Sequence, residues 1–197
     1  MVNRDWQQFA LLLIDVQQDF WNPELEQAFP EFQSNIARLL RFCRQEGLEV
    51  VHLREVFHPD GSDWLPRYRL RGRALCLRGT PGADVLSVAA AQSGEMVMEK
   101  QTQDGFHHPP LLDYLRSQGK KYILTAGLVT SVCVLLTAAS ASQLGFLVTV
   151  ISDCCADYPE AHAIALRRYQ GFMLGLANLD ELPQRWGEWV GQIERLG

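Results

Sequence analysis

Five apolar runs constrain this chain more than any other feature: Phe9–Ile14, Leu48–Leu53, Glu95–Met98, Tyr122–Ala126 and Phe146–Ile151, most of them without polar alternation. A strand with one wet face alternates, whereas a strand covered on both faces reads as continuously apolar. The runs therefore predict a mainly parallel sheet buried on both sides. Between them lie stretches with helical spacing, notably Phe32, Ile36, Leu39, Leu40 and Cys43 before Gly47, and Leu111, Leu112 and Leu115 before Gly119. Glycine ends helices readily because it enters the left-handed region without penalty. Strand and helix alternating in this way predict a three-layer α/β/α sandwich. At 197 residues the expectation is a single domain spanning residues 1–197.

Two segments depart from the alternation. Phe57–Gly82 holds four arginines within Arg67–Arg73 (Arg67, Arg69, Arg71, Arg73), three prolines and four glycines, with little periodicity. It reads as a long excursion loop, a candidate lid or subunit contact. From Asn178 onward, Leu179, Leu182, Trp186, Trp189, Val190 and Ile193 share one broad helical face. That face offers more apolar surface than one packing partner covers, which predicts a homodimer or homotetramer with the excursion or this helix at the interface.

The formal charge of -5 argues against a nucleic-acid partner, since phosphate affinity rests on clustered Lys and Arg. No apolar run is long enough to cross a bilayer, so no membrane association is expected. Five cysteines without metal-type spacing, and no basic-then-apolar opening segment, lead to the expectation of a reduced, cytoplasmic protein. A small-molecule substrate fits this balance, with no cofactor implied.

Three predicted strand ends each carry one reactive group. Asp15 follows the first run in LLLIDVQQDF, at the carboxyl end of a strand, where open α/β sheets place their ligand crevices. Asp19 reads as structural. Lys100 ends the strand in EMVMEKQTQDGF. Cys133, in AGLVTSVCVLLTAASASQLG, falls in the first turn of a helix, where unpaired N–H groups favour a thiolate and can hold an oxyanion. Taken singly, each has an ordinary reading: a capping aspartate, a solvated lysine, a packed cysteine. Together they supply a proton acceptor, a cation and a nucleophile, the set that covalent acyl transfer needs.

At this point the chain resembles the isochorismatase-like hydrolases, a superfamily that includes nicotinamidases, N-carbamoylsarcosine amidase and ureidoacrylate amidohydrolases. The resemblance runs through DVQQDF, REVFHPDGSDW, GTPGAD, EKQTQDGF, GLVTSVCV, TAASASQLG and VISDCCADYPEAH, in that order. It implies an Asp15–Lys100–Cys133 triad, a cis peptide between Leu128 and Val129, and an oxyanion hole from the N–H groups of Val129 and Cys133. It also implies hydrolysis of an amide or ureido C–N bond through a thioester, and oligomers. Vinyl-ether hydrolysis, or a silent member serving as an interaction module, is the alternative. Nicotinamidases of this family hold a metal on an Asp-x-His element and further histidines. This chain has Glu55-Val56-Phe57-His58 there, and His52, His107 and His108 do not complete a set, so no metal is expected. Phe20, Trp21, Phe57, Trp64 and Phe106 stand near motif ends and are the candidate pocket lining. His162 and the paired Cys154 and Cys155 read as structural.

Overall fold

The computed structural model describes residues 4–107 and 110–196, which leaves His108 outside the described residues. In chain order the main elements are β1 (Phe9–Ile14), α1 (Pro23–Ala28), α2 (Phe32–Glu46), β2 (Glu49–Glu55), α3 (Pro66–Arg71), β3 (Met96–Lys100) and α4 (Leu111–Ser117). They continue with β4 (Tyr122–Leu128), α5 (Leu135–Gln143), β5 (Leu147–Ala156), α6 (Pro159–Tyr169), β6 (Gly175–Ala177) and α7 (Leu182–Leu196). The six strands form one sheet in the order β3-β2-β1-β4-β5-β6, and every pairing is parallel.

Every residue of β1 and β4 is buried, as their unbroken apolar sequences require. The two-residue period of a strand divides β1 between two cores. Phe9, Leu11 and Leu13 join Ile36, Leu39 and Leu40 of α2 and Leu182, Trp189 and Ile193 of α7. Ala10, Leu12 and Ile14 join Leu111 and Leu115 of α4 and Ala138 and Ala141 of α5. The three-layer arrangement follows from this division. Gly47 takes φ +69° after α2 and donates its N–H to the Cys43 carbonyl, closing the helix where the sequence places its end.

Four expectations need correction. A sixth strand, Gly175–Ala177, was not foreseen, because three residues without a β-branched side chain carry no strand signal. The second to fifth strands run further toward their carboxyl ends than the apolar runs, β3 reaching Lys100 and β5 reaching Ala156. The excursion is not structureless: Pro66 opens α3, Gly72 closes it at φ +65°, and Phe57 bridges to Leu77. Finally, the α7 face is covered within the chain. Trp189 is fully buried, with its ring 5.3 Å from that of Tyr122, and the Trp186 indole N–H donates to the Asp5 carbonyl at 3.0 Å. Much of the apolar surface offered as a motive for assembly is thus packed within the chain, Trp186 and Val190 only in part.

Candidate active site

The strand order reverses its direction of growth between β1 and β4, and the carboxyl ends of β1, β2, β3 and β4 meet there. Asp15 leaves β1 in the left-handed region at φ +50°, with its N–H donating to the Leu53 carbonyl. The turn tips its carboxylate into the crevice, and the side chain has no exposure. Two residues on, the buried Gln17 amide donates to the Glu55 and Ala83 carbonyls at 2.9 Å and accepts the Glu55 N–H at 2.9 Å. It ties the exits of β1 and β2 to the end of the excursion. Asp19 proves structural: its Oδ2 accepts the Cys76 N–H at 2.6 Å. Its carboxylate packs so close to Gly82 that a Cβ there would lie 2.2 Å away.

Lys100 is fully buried at the end of β3, in register with Glu55 of β2. Its Nζ donates to Asp15 Oδ2 at 2.6 Å and to the Thr102 carbonyl at 2.8 Å, and it lies 3.7 Å from Glu55 Oε2. Beyond it, Asp104 accepts from the Ser140 hydroxyl and Gly105 N–H donates to Thr137 Oγ1, docking this segment onto α5.

The nucleophile candidate arrives through β4. Gly127 takes φ +129° where a Cβ would stand 1.9 Å from the Ile14 carbonyl oxygen, so only glycine lets the end of β4 pass β1 here. The Leu128–Val129 peptide is cis. Thr130–Val134 then form a π-helical turn leading into α5, with Cys133 buried inside it. The turn is pinned by Asp157, whose Oδ2 accepts both the Ser131 N–H at 2.8 Å and the Ser131 hydroxyl at 2.5 Å. His162 lies in the first turn of α6 and pairs its Nδ1 with Thr130 Oγ1 at 2.8 Å.

The Cys133 sulfur and one carboxylate oxygen each of Asp15 and Glu55 lie within 4.8 Å of one another. Electrostatics follow from burial. Desolvation raises Asp15 above the ordinary 3.8, although Lys100 opposes the rise. It pushes Glu55 up to about 7, again against Lys100. Burial likewise opposes the charge on Lys100, but Asp15, Cys133 and Glu55 more than offset it, so the ammonium is held. Cys133 is raised well above the ordinary thiol value by burial first and the Asp15 carboxylate second. Burial and the Asp15 charge thus oppose the thiolate that the helix-end N–H groups favour, and Asp15 Oδ1 accepts no hydrogen bond among the described residues.

Asp15, Glu55 and Cys133 are donors that metals accept, but they do not fit a metal centre. The Lys100 ammonium already occupies the space between the two carboxylates, and a divalent ion there would face a buried positive charge. Nor, among the described residues, do the histidines converge. His52 is buried against Glu95 at 2.9 Å, and His162 is engaged by Thr130.

The aromatic candidates divide. Phe20, Trp21 and Phe106 pack onto the cores, Trp21 stacked on Phe32 at 4.8 Å and Phe106 on Phe146 at 6.2 Å. Phe57 is fully buried and meets Tyr68 of α3 edge-on at 5.3 Å. The Trp64 indole N–H donates to the His58 carbonyl. Tyr68, which sequence reasoning missed, stands beside Glu55 and lines a cleft of about 290 Å³ with Arg71, Arg73, Ala74 and Leu75. Glu55, Gln17 and Asp157 were missed in these roles too. Each lies inside a quoted motif, but burial and partners decide their meaning.

Comparison with known proteins places this arrangement. The isochorismatase domain family matches residues 9–180. The maleamate amidohydrolase of Pseudomonas putida is 31% identical over 189 residues, covering 92% of this chain and 82% of that protein. An isochorismatase family protein from Desulfovibrio vulgaris superposes with a TM-score of 0.82 at 29% identity, covering 90% of this chain and 97% of that one. N-carbamoylsarcosine amidase from Thermoplasma acidophilum does so with 0.74 at 25% identity, over 88% and 98%. Sheet order, the matched span and these relatives agree, and the chain belongs to the isochorismatase family.

Proposed function

We propose that this chain is a cysteine amidohydrolase that cleaves the C–N bond of a small amide or ureido compound. The observation that carries the reading is the convergence of Asp15, bonded to Lys100 at 2.6 Å, with the Cys133 thiol at the sheet's switch point. The amidohydrolase names of the Pseudomonas putida and Thermoplasma acidophilum relatives support it.

Asp15 takes the Cys133 proton as the sulfur attacks the carbonyl carbon, and Lys100 keeps the carboxylate in place throughout. Because the thiol is disfavoured as a free thiolate, proton transfer and attack are coupled. A carboxylate raised above its usual range is the better proton acceptor. The N–H groups of Val129 and Cys133 hold the oxyanion. Asp15 then returns its proton to the leaving nitrogen, ammonia or an amine departs, and a thioester remains on Cys133. Water attacks the thioester, losing its proton to Asp15, and the acid is released with the thiol restored.

The test is ammonia release from maleamate, nicotinamide, N-carbamoylsarcosine and ureido acids in the presence of a chelator. Wild-type chain should release ammonia from at least one. Cys133→Ala should lose at least ~10³-fold of that rate while still unfolding cooperatively, and Cys133→Ser should be nearly as slow. Vinyl-ether hydrolysis makes no use of a thiol at this position, so full activity in a folded Cys133→Ala chain would end the cysteine mechanism.

A further inference from the structure

Glu55 is a carboxylate that the triad does not need. Asp15 and Thr102 already hold the Lys100 ammonium, yet Glu55 sits 3.7 Å from it, 1% exposed, with neither carboxylate oxygen within hydrogen-bond distance of a partner among the described residues. Lys100 attracts it by charge from 3.7 Å and Asp15 repels it, while Lys100 and Tyr68 lie close enough to contribute weakly as donors without closing a hydrogen bond. Burying a carboxylate that makes no hydrogen bond and shares its one ion-pair partner with Asp15 costs several kcal/mol where an apolar side chain would cost nothing. The Gln17 amide grips the Glu55 main chain in both directions and the side chain is buried, so its carboxylate stays beside the reacting groups. A buried acceptor held rigidly beside the reacting groups calls for a donor from the ligand.

We propose that Glu55 is a specificity-determining residue that accepts an N–H of the leaving nitrogen and selects substrates carrying a terminal –NH2, primary amides and carbamoyl compounds, over esters and dialkylamides. The inference deepens the amidohydrolase reading and rests on it. The leaving nitrogen must reach Asp15 to collect its proton, and Glu55 and Asp15 carboxylate oxygens lie within 4.8 Å of each other. An –NH2 group offers Glu55 an N–H while its lone pair faces Asp15. Above about pH 7, where Glu55 is ionised, an ester oxygen offers it only lone pairs and leaves the buried carboxylate without a hydrogen bond. Sites that bind a substrate N–H reject analogues lacking it strongly for this reason.

The experiment compares kcat/KM for matched pairs, maleamate with monomethyl maleate and nicotinamide with methyl nicotinate, in wild type, Glu55→Gln and Glu55→Met. Glutamine keeps one neutral acceptor and methionine keeps none. The amide-to-ester ratio should fall in that order, at least about tenfold in Glu55→Met. Glu55→Gln, the isosteric change, decides the matter if Glu55→Met fails to fold. Equal losses on amide and ester would make Glu55 merely structural and overturn the inference while leaving the amidohydrolase reading intact. A wild-type chain that hydrolyses none of these amides, nor those of the screen, would sink both.

Discussion

At the scale of single residues, the site is a small set of charges kept out of water. Two carboxylates, one ammonium and one thiol share a space in which each group alone would resist ionisation, and only their mutual arrangement fixes which proton sits where. Glu55 shows this in a form that stability measurements can read. Burial lifts it from the ordinary 4.5 to about 7, so the folded chain retains a proton that the unfolded chain loses between those values. The stability tied to that proton is complete below pH 4.5 and is lost as the pH rises through about 7. Glu55→Gln is uncharged at every pH. It should therefore gain about 2–4 kcal/mol on wild type between mildly acidic and mildly alkaline solution, measured by urea unfolding. A gain that does not change with pH would show that Glu55 titrates normally. Asp15 acts through rate: its carboxylate must be ionised to accept the thiol proton, so kcat should fall on the acid side with a midpoint above 3.8.

Among the elements, the junction of β1 and β4 carries the geometry. Gly127→Ala should cost about 3 kcal/mol or more, because the new Cβ meets the Ile14 carbonyl oxygen at 1.9 Å and the backbone lies at φ +129°. It should also cut activity beyond its effect on folding, since Asp15 and Cys133 leave the two sides of that junction. Thermal unfolding and activity near wild type would show that the strands part there easily. Much of this layer was legible beforehand. The unbroken runs at Phe9–Ile14 and Tyr122–Ala126 announced buried central strands, and Asp15, Lys100 and Cys133 stood at the ends where such sheets place ligands. What escaped is non-local. No periodicity marks Gly175–Ala177 as a strand, because its pairing with Thr149–Ile151 alone makes it one. Nothing in the sequence around Cys133 shows how far burial and the Asp15 carboxylate raise its thiol. Glu55 drew notice only for standing where a metal ligand was sought, since spacing does not reveal a buried carboxylate without a hydrogen bond.

For the whole molecule, Trp189 serves the chain's own core and Trp186 packs partly onto it, so other surfaces are better candidates for assembly. Among the described residues, Val132, Leu136, Tyr158 and Ile164 are exposed on the π turn, α5 and the start of α6, which border the Cys133 turn. Exposed apolar side chains grouped in this way favour association. Sedimentation equilibrium should find a dimer or tetramer of the 22.3 kDa chain, with Leu136→Glu shifting it toward monomer; a single 22.3 kDa species at micromolar concentrations would refute assembly. The central claim, a thioester formed on Cys133, is tested most directly by acid-quenching the wild-type chain during turnover of an amide substrate and measuring the intact and peptide masses. The account predicts an added acyl group on the peptide carrying Cys133, removed by hydroxylamine and absent from Cys133→Ser under the same quench. Steady ammonia release with unmodified Cys133 at every quench time, together with undiminished activity in Cys133→Ala, would contradict it.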